Sequence, residues 1–169
     1  MYLLATSVAR IACSPTTAFA YAADLENFQH WVPGVISIAA CNELPYAAPG
    51  KQYVETVAVP LRGRRGVLIQ VIDVDAPHRI VTEGDLPLLL PRMEIEFQET
   101  STGSCEVRWR MFSRNDSVLI RCTLLPLARC VMRRRALTGL HNLKVRLEGS
   151  APAGFVVNKD AEAPRRTND

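Results

Sequence analysis

Apolar and polar side chains alternate most regularly in the second half of the chain. Met93, Ile95 and Phe97 oppose Glu94, Glu96 and Gln98, and Val107, Trp109 and Met111 oppose Arg108 and Arg110. A period of two sends successive side chains to opposite faces of a strand, so the pattern predicts strands with one greasy and one solvated face. Six strand-like runs are expected, at residues 35–43, 52–59, 66–74, 79–83, 92–99 and 106–113. Between them stand Pro49-Gly50, Arg62-Gly63, Asp75-Ala76-Pro77, Gly84-Asp85 with Pro87, and Ser101-Thr102-Gly103, residues suited to tight turns. Sequence neighbours joined this way read as a meander.

The flanks have a different texture. Residues 3–13 mix β-branched, small and apolar side chains and predict a strand ending at Ser14-Pro15, an N-cap followed by proline at the first helical position. A helix over 16–23, with Ala18, Phe19 and Ala22 at helical spacing, and a second short one over 25–31 then stop at Pro33-Gly34. From 118 to 148 the period becomes helical. Ala128, Met132, Ala136, Gly139, Leu140, Leu143 and Leu147 form one stripe, with Arg134, Arg135, Thr138, His141 and Asn142 mainly opposite. Pro126 removes an internal hydrogen bond and predicts a kink or restart there. Residues 149–169 are rich in Ala, Pro, Asn, Lys, Asp and Arg without periodicity and predict a disordered tail behind a single domain at 1–148.

Composition agrees with one domain: 169 residues, 48% of them hydrophobic, can build one sizeable core and not two. Twenty Lys and Arg against 17 Asp and Glu leave a formal charge of +3, far from the balance of a dedicated nucleic-acid binder. Cys13, Cys41, Cys105, Cys122 and Cys130 are odd in number and form no CxxC or Cys/His ligand spacing, so they read as small buried apolar residues in a reducing compartment. Ala18-Phe19-Ala20 and Tyr21-Ala22-Ala23 superficially resemble signal-peptidase sites. The first nine residues lack positive charge, however, and Arg10 interrupts the apolar run, so the expected location is cytoplasmic.

Three segments carry a resemblance. Ser14-Pro15-Thr16-Thr17, continuing through Asp24-Leu25-Glu26-Asn27-Phe28 to Trp31, resembles a proline-started helix leading through an Asp-x-Glu-Asn turn to an aromatic. Val71-Ile72-Asp73-Val74-Asp75-Ala76-Pro77-His78-Arg79-Ile80-Val81 resembles a strand-turn-strand, and Leu125-Pro126-Leu127 through Arg133 to Lys144 a C-terminal helix. In this order they are similar to the START-like (SRPBCC) superfamily, in particular its bacterial polyketide cyclase/dehydrase-type members. The resemblance implies an α+β helix-grip fold, a seven-stranded curved antiparallel sheet wrapped around the long C-terminal helix with two short helices after strand 1. It also implies an apolar cavity between sheet and helix for lipids, polyketides or other hydrophobic ligands. Only some members of the superfamily are enzymes, so fold alone does not assign function.

If the helix crosses the concave face, Met93, Ile95, Phe97, Val107, Trp109 and Met111 face Met132, Ala136, Leu140 and Leu143, and these ten are the expected ligand wall. The same side chains would equally serve a solid core. Trp109 brings an indole N–H that wants a partner, and methionines on both walls would let a pocket adapt. Chemistry is sparse. His30, His78 and His141 sit in turns or on the outer helix face, and no HExxH or glycine-rich phosphate loop occurs; Arg62-Gly63-Arg64-Arg65-Gly66 reads as a basic hairpin turn. Glu55 and Glu83, within strands, and Arg129, on the helix stripe, are the candidates for polarising a ligand carbonyl. No metal or cofactor is called for.

Arg121, Arg129, Arg133, Arg134, Arg135, Lys144 and Arg146 give the last helix a basic outer face suited to transient contact with anionic lipid headgroups or, more simply, to solvent. Aromatics do not interleave with these charges, so nucleic acid is not an expected partner. The expected function is carriage or sensing of a hydrophobic small molecule by a monomer or homodimer. A cyclase or dehydratase acting on a poly-β-ketone-like substrate is the enzymatic alternative, and a protein-interaction module using the basic helix is the third.

Overall fold

The computed structural model describes residues 1–59, 63–101 and 103–149. Strand β1 (Tyr2–Ile11) leads into α1 (Pro15–Ala23), whose N-terminus is capped by the Ser14 hydroxyl accepting from the Thr17 N–H at 3.2 Å. A 3₁₀ turn, Leu25–Asn27, and the single-turn α2 (Phe28–Trp31) follow. Then come β2 (Val35–Ala40), β3 (Gln52–Val59), β4 (Gly63–Asp75), β5 (Arg79–Gly84), β6 (Pro91–Ser101) and β7 (Ser104–Ser113), and the chain ends its described part in α3 (Val118–Gly149). The seven strands form one antiparallel sheet in the order β1-β7-β6-β5-β4-β3-β2. The short helices therefore carry the chain from one edge of the sheet to the other, and the remaining strands return as a meander to meet β1. This is the α+β helix-grip arrangement that the sequence pattern and its resemblance imply.

Several details differ from the expectations. The Gly63-Arg64-Arg65-Gly66 segment is strand, not turn: Gly63, Arg64 and Arg65 pair with Val59, Ala58 and Val57, so the ladder satisfies backbone groups that a glycine- and arginine-rich stretch would not be expected to commit. Arg62, Thr102 and residues 150–169 of the expected tail lie outside the described residues, while Gly149, the first residue of that expected tail, is the last residue of α3. Helix α3 does not restart at Pro126 but runs through it, and the exposed position of Pro126 puts the lost hydrogen bond on the solvent side. Cysteine burial is also different. Cys105 is buried and Cys13 half-buried, but Cys41, Cys122 and Cys130 are exposed, the last two because they fall on the outward side of α3.

The core lies between the inner sheet face and the helices. The register Met93↔Met111, Ile95↔Trp109 and Phe97↔Val107 puts the alternating apolar residues of β6 and β7 in cross-strand pairs on that face. On the outer face, Arg92 bonds Glu83 at 2.9 Å and Glu94 at 3.0 Å, Arg114 reaches Glu83 at 3.2 Å, and Arg110 pairs with Glu94 and Glu96. The buried stripe of α3 comprises Leu125, Met132, Ala136, Gly139, Leu140, Leu143 and Leu147. Gly139 is required by packing, because a Cβ there would stand 2.5 Å from the Trp109 ring. Trp109 in turn meets Trp31 edge to face at 5.2 Å, and Trp31 meets Phe28 at 5.1 Å. This aromatic stack joins helix, sheet and the short α2.

Candidate ligand-binding cavity

Beyond the aromatic stack the interior is not filled. A cavity of about 80 Å³ remains there, open to solvent on one side. As it stands the cavity admits a few waters; a ligand-sized site of roughly 300–1,000 Å³ requires its walls to move apart. Val57, Val67 and Ile69 of the inner sheet face form one wall, and Thr82, Pro91, Met93, Trp109 and Met111 continue it. Phe28 and Val32 close one side, Leu86 and Leu89 of the β5–β6 loop another, and Met132 comes from α3. Two ionisable groups enter this apolar lining, Glu55 from β3 and Arg135 from α3.

Glu55 points inward because it lies two residues from both Tyr53 and Val57, which are buried on the same face of β3. Burial raises its pKa to about 7, with the Arg135 charge partly opposing the rise. Burial also weakens Arg135's hold on its proton, while Glu55 strengthens it; a guanidinium remains charged throughout the physiological range. The two feel each other's field, yet no direct ion pair closes between them. Arg135 is instead anchored by its Nε–H, which donates to the Pro33 carbonyl, and it lies so close to Gly34 that a Cβ there would be 3.0 Å from its Nη2. Gly34 also has φ +83°, so only glycine fits this turn without strain.

The anchoring is part of a wider clasp. Asn142 Nδ2 donates to the Trp31 carbonyl at 3.2 Å and Arg146 Nε to the His30 carbonyl at 2.8 Å. Arg135, Asn142 and Arg146 thus satisfy three carbonyls at the end of α2 and in the turn after it. The sequence pattern places Arg135, Asn142 and Arg146 with the outer face of α3; the short helix packed beside α3 half-buries Arg135 and Asn142, while Arg146 stays exposed and reaches the His30 carbonyl from the surface. A signal for Arg135 was present in the spacing, because Ala128, Met132, Arg135 and Gly139 form a continuous helical row along the edge of the buried stripe.

Of the ten expected wall residues, Met93, Trp109, Met111 and Met132 line the cavity. Ile95, Phe97, Val107, Ala136, Leu140 and Leu143 are buried in the core without lining it. Part of the reason is α1, whose Phe19 packs edge to face on Phe97 at 5.6 Å and fills that end of the sheet. Of the three polar candidates, Glu55 lines the cavity. Glu83 faces away, its inward neighbours being Thr82 and Gly84, and is engaged by Arg92 and Arg114. Arg129 is half-buried on α3 outside the cavity lining, with its Nε–H lacking a partner among the described residues. The Trp109 indole N–H is likewise buried without a partner there.

The β5–β6 loop over the cavity is strained and tightly held. Leu88 and Leu90 have φ of 71° and 43°, a left-handed conformation that costs leucine about 1 kcal/mol or more. Buried Ser113 donates its hydroxyl to the Leu89 carbonyl at 2.5 Å, Asn115 Nδ2 donates to Leu88 O at 3.0 Å, and the Arg114 N–H donates to Leu90 O at 2.9 Å. The end of β7 therefore fixes the loop that carries Leu86 and Leu89.

No group of side chains able to hold a metal ion occurs among the described residues, and no helix there is long and apolar enough to cross a membrane.

The fold is shared with solved structures of low sequence identity. A protein of Thermus thermophilus superposes with a TM-score of 0.69 at 13% identity, over 87% of this chain and 98% of its own. A START superfamily protein from Mycobacterium smegmatis gives 0.68 at 13% identity, over 88% and 99%. The di-domain ARO/CYC StfQ from the steffimycin biosynthetic pathway gives 0.65 at 13% identity; the match covers 88% of this chain and 51% of StfQ, about half its length. No curated protein matches the chain by sequence. The family model described as polyketide cyclase / dehydrase and lipid transport matches residues 4–148, from the first strand almost to the end of α3, and the chain belongs to this START-like family.

Proposed function

We propose that the protein binds a hydrophobic small molecule, such as a lipid or polyketide, between sheet and α3, and acts as its carrier or sensor. The observation that carries this reading is an unfilled, largely apolar cavity in which Glu55 and Arg135 are the charged lining groups. Apolar walls supply affinity at about 25 cal/mol per Å² of ligand surface removed from water, and a small number of polar groups fix orientation. Met93, Met111 and Met132, unbranched and adaptable, line the space that a ligand would enlarge. Native mass spectrometry of protein purified from its own host should reveal a bound apolar molecule released on unfolding. Failure to retain any ligand, together with a ligand-free solution structure whose cavity has collapsed, would sink the reading.

A cyclase or dehydratase is the second reading, and Glu55 is the observation that favours it. A carboxyl with a pKa of about 7 can both donate and accept a proton near neutrality, and Arg135 across the same cavity could stabilise an enolate formed from a poly-β-ketone-like substrate. Turnover of a model β-polyketone that Glu55→Gln abolishes would select this reading over simple carriage.

Ligand exchange would also need a surface, and we propose that the outer face of α3 supplies it by touching anionic membrane. Residues 117–147 contain no acidic residue, and Arg121, Arg133 and Arg134 are the exposed basic residues of α3 not bound to a backbone carbonyl among the described residues. Leu119, Leu127 and Leu137 are exposed at 72%, 68% and 63%, beside exposed Arg133 and Arg134. Each basic side chain near an anionic bilayer is worth about 1 kcal/mol. Co-sedimentation with phosphatidylserine-containing vesicles, but not with pure phosphatidylcholine, is expected, and Arg133→Ala/Arg134→Ala should weaken it at least tenfold. Equal binding to both vesicle types, or none, refutes the contact.

A further inference from the structure

The cavity's two charged groups carry a statement about the ligand's head. Opposite charges sharing a low-dielectric space normally close into a direct pair, because leaving them apart forfeits Coulomb energy and hydrogen bonds. Here they do not: Arg135 turns its Nε–H to Pro33 O, and the rest of its guanidinium has no acceptor among the described residues. Glu55 has no hydrogen-bond donor among the described residues either. Both line the same cavity.

We propose that the space between Glu55 and Arg135 is the head-group site for a hydrophobic monocarboxylate, its anionic oxygens held by the Arg135 fork while a protonated Glu55 donates to one of them. This rests on the hydrophobic-ligand reading above and specifies the head of that ligand. A guanidinium offers parallel N–H groups matched to a carboxylate, and its orientation is already set by the Pro33 carbonyl and the close fit to Gly34. The ligand's tail would run along the methionine-lined sheet wall.

The charges around Glu55 make the proton bookkeeping simple. Arg135 on α3 is the charged group whose field reaches it; on β3 itself Tyr53, two residues away, donates its hydroxyl to the Tyr46 carbonyl at 3.2 Å. Asp24 and Glu26, before α2, act on Tyr53 and not on Glu55. On the neighbouring strands, the residues paired with Glu55 are Ile38 and Val67, both apolar. A ligand carboxylate beside Glu55 would favour its neutral form further, so anion binding is linked to one proton held on Glu55. The complex forms with Glu55 protonated and weakens as pH rises through about 7.

The test uses the full chain and isothermal titration calorimetry with octanoate and 1-octanol, which share a tail and differ in the head. At pH 6 octanoate should bind at least tenfold more tightly than octanol. Between pH 6 and pH 8 its affinity should fall about tenfold, the factor expected when one proton with a midpoint near 7 must be bound, while octanol binding stays constant. Glu55→Gln should keep octanoate binding and lose the pH dependence. Arg135→Met should reduce octanoate to the level of octanol, with unchanged octanol affinity certifying that the cavity is intact; Arg135→Lys serves if the Met variant does not fold and should retain a reduced preference. Equal binding of both probes by the unmodified protein at pH 6 overturns the head-group site and leaves the hydrophobic-ligand reading standing. Binding of neither overturns both.

Discussion

Replacing Glu55 by Gln should stabilise the protein, and by an amount that grows with pH. Burial raises the Glu55 carboxyl from 4.5 to about 7, so its ionised form is disfavoured in the folded state. At about 1.4 kcal/mol for each pH unit between those values, the cost is about 3.5 kcal/mol, and water reaching the cavity lowers it to roughly 2–3 kcal/mol. The folded pKa lies above the unfolded one, so this stability contribution is fully present below pH 4.5 and is lost as pH rises to about 7. Glutamine is close to the size of the protonated acid and carries no such penalty. The difference in unfolding free energy, Glu55→Gln minus unmodified protein, should therefore be small at pH 4.5 and increase by roughly 2–3 kcal/mol by pH 8. In urea titrations with an m-value of about 2 kcal/mol/M this is a relative midpoint shift of roughly 1–1.5 M. Taking the difference cancels the titration of every group the two proteins share. A difference that does not change with pH would show that Glu55 is solvated like an ordinary carboxylate. One that changes in the opposite direction would show that Glu55 is ionised and closed onto Arg135 in solution, which would also remove the basis for the head-group site.

Gly139→Ala should destabilise the protein despite alanine's better helix propensity. The new Cβ would meet the Trp109 ring at 2.5 Å, and that ring is already packed against Trp31, so overpacking of about 1–3 kcal/mol exceeds a propensity gain of at most about 1 kcal/mol; a net loss should appear in denaturant midpoints and in altered tryptophan fluorescence. Ser113→Ala removes the donor to Leu89 O and the acceptor for the Asn115 N–H, which stands at 3.2 Å, and should cost about 1–3 kcal/mol. Its distinguishing readout is faster amide hydrogen exchange at Leu89 and Leu90, reporting release of the loop over the cavity. Gly34→Ala should cost at least about 1 kcal/mol through its left-handed backbone and should also displace the Arg135 side chain, weakening octanoate binding more than octanol binding.

The type and order of most elements were legible in the chain, the strand at 63–66 being an exception. Alternation over 92–99 and 106–113 determined the inward faces of β6 and β7, because the pleat leaves an alternating strand only one way to bury its apolar side. The stripe from Met132 to Leu147 determined which side of α3 is buried for the same kind of reason. Glu55 was legible as an inward polar residue, since its parity matches Tyr53 and Val57. Glu83 was not legible in the same way: only the pairing of β5 within the sheet shows that Thr82 and Gly84 face in and Glu83 faces out to Arg92 and Arg114.

Where packing stops is set by how the elements are arranged around the sheet. Phe97, Val107 and Leu140 have the same apolar character as Met93, Met111 and Met132, and no local property of the chain says that the first three meet other side chains while the others border empty space. That outcome depends on which inner positions α1, α2 and α3 reach from their places around the sheet. Arg135 shows the same limit. Its helical position is on the edge of the buried stripe, and whether such an edge meets water or protein depends on a neighbour 102 residues earlier in the chain, Pro33, whose carbonyl it binds. Periodicity records which side of an element is apolar; it carries no information about the distance between that side and whatever lies opposite, and the cavity is that distance.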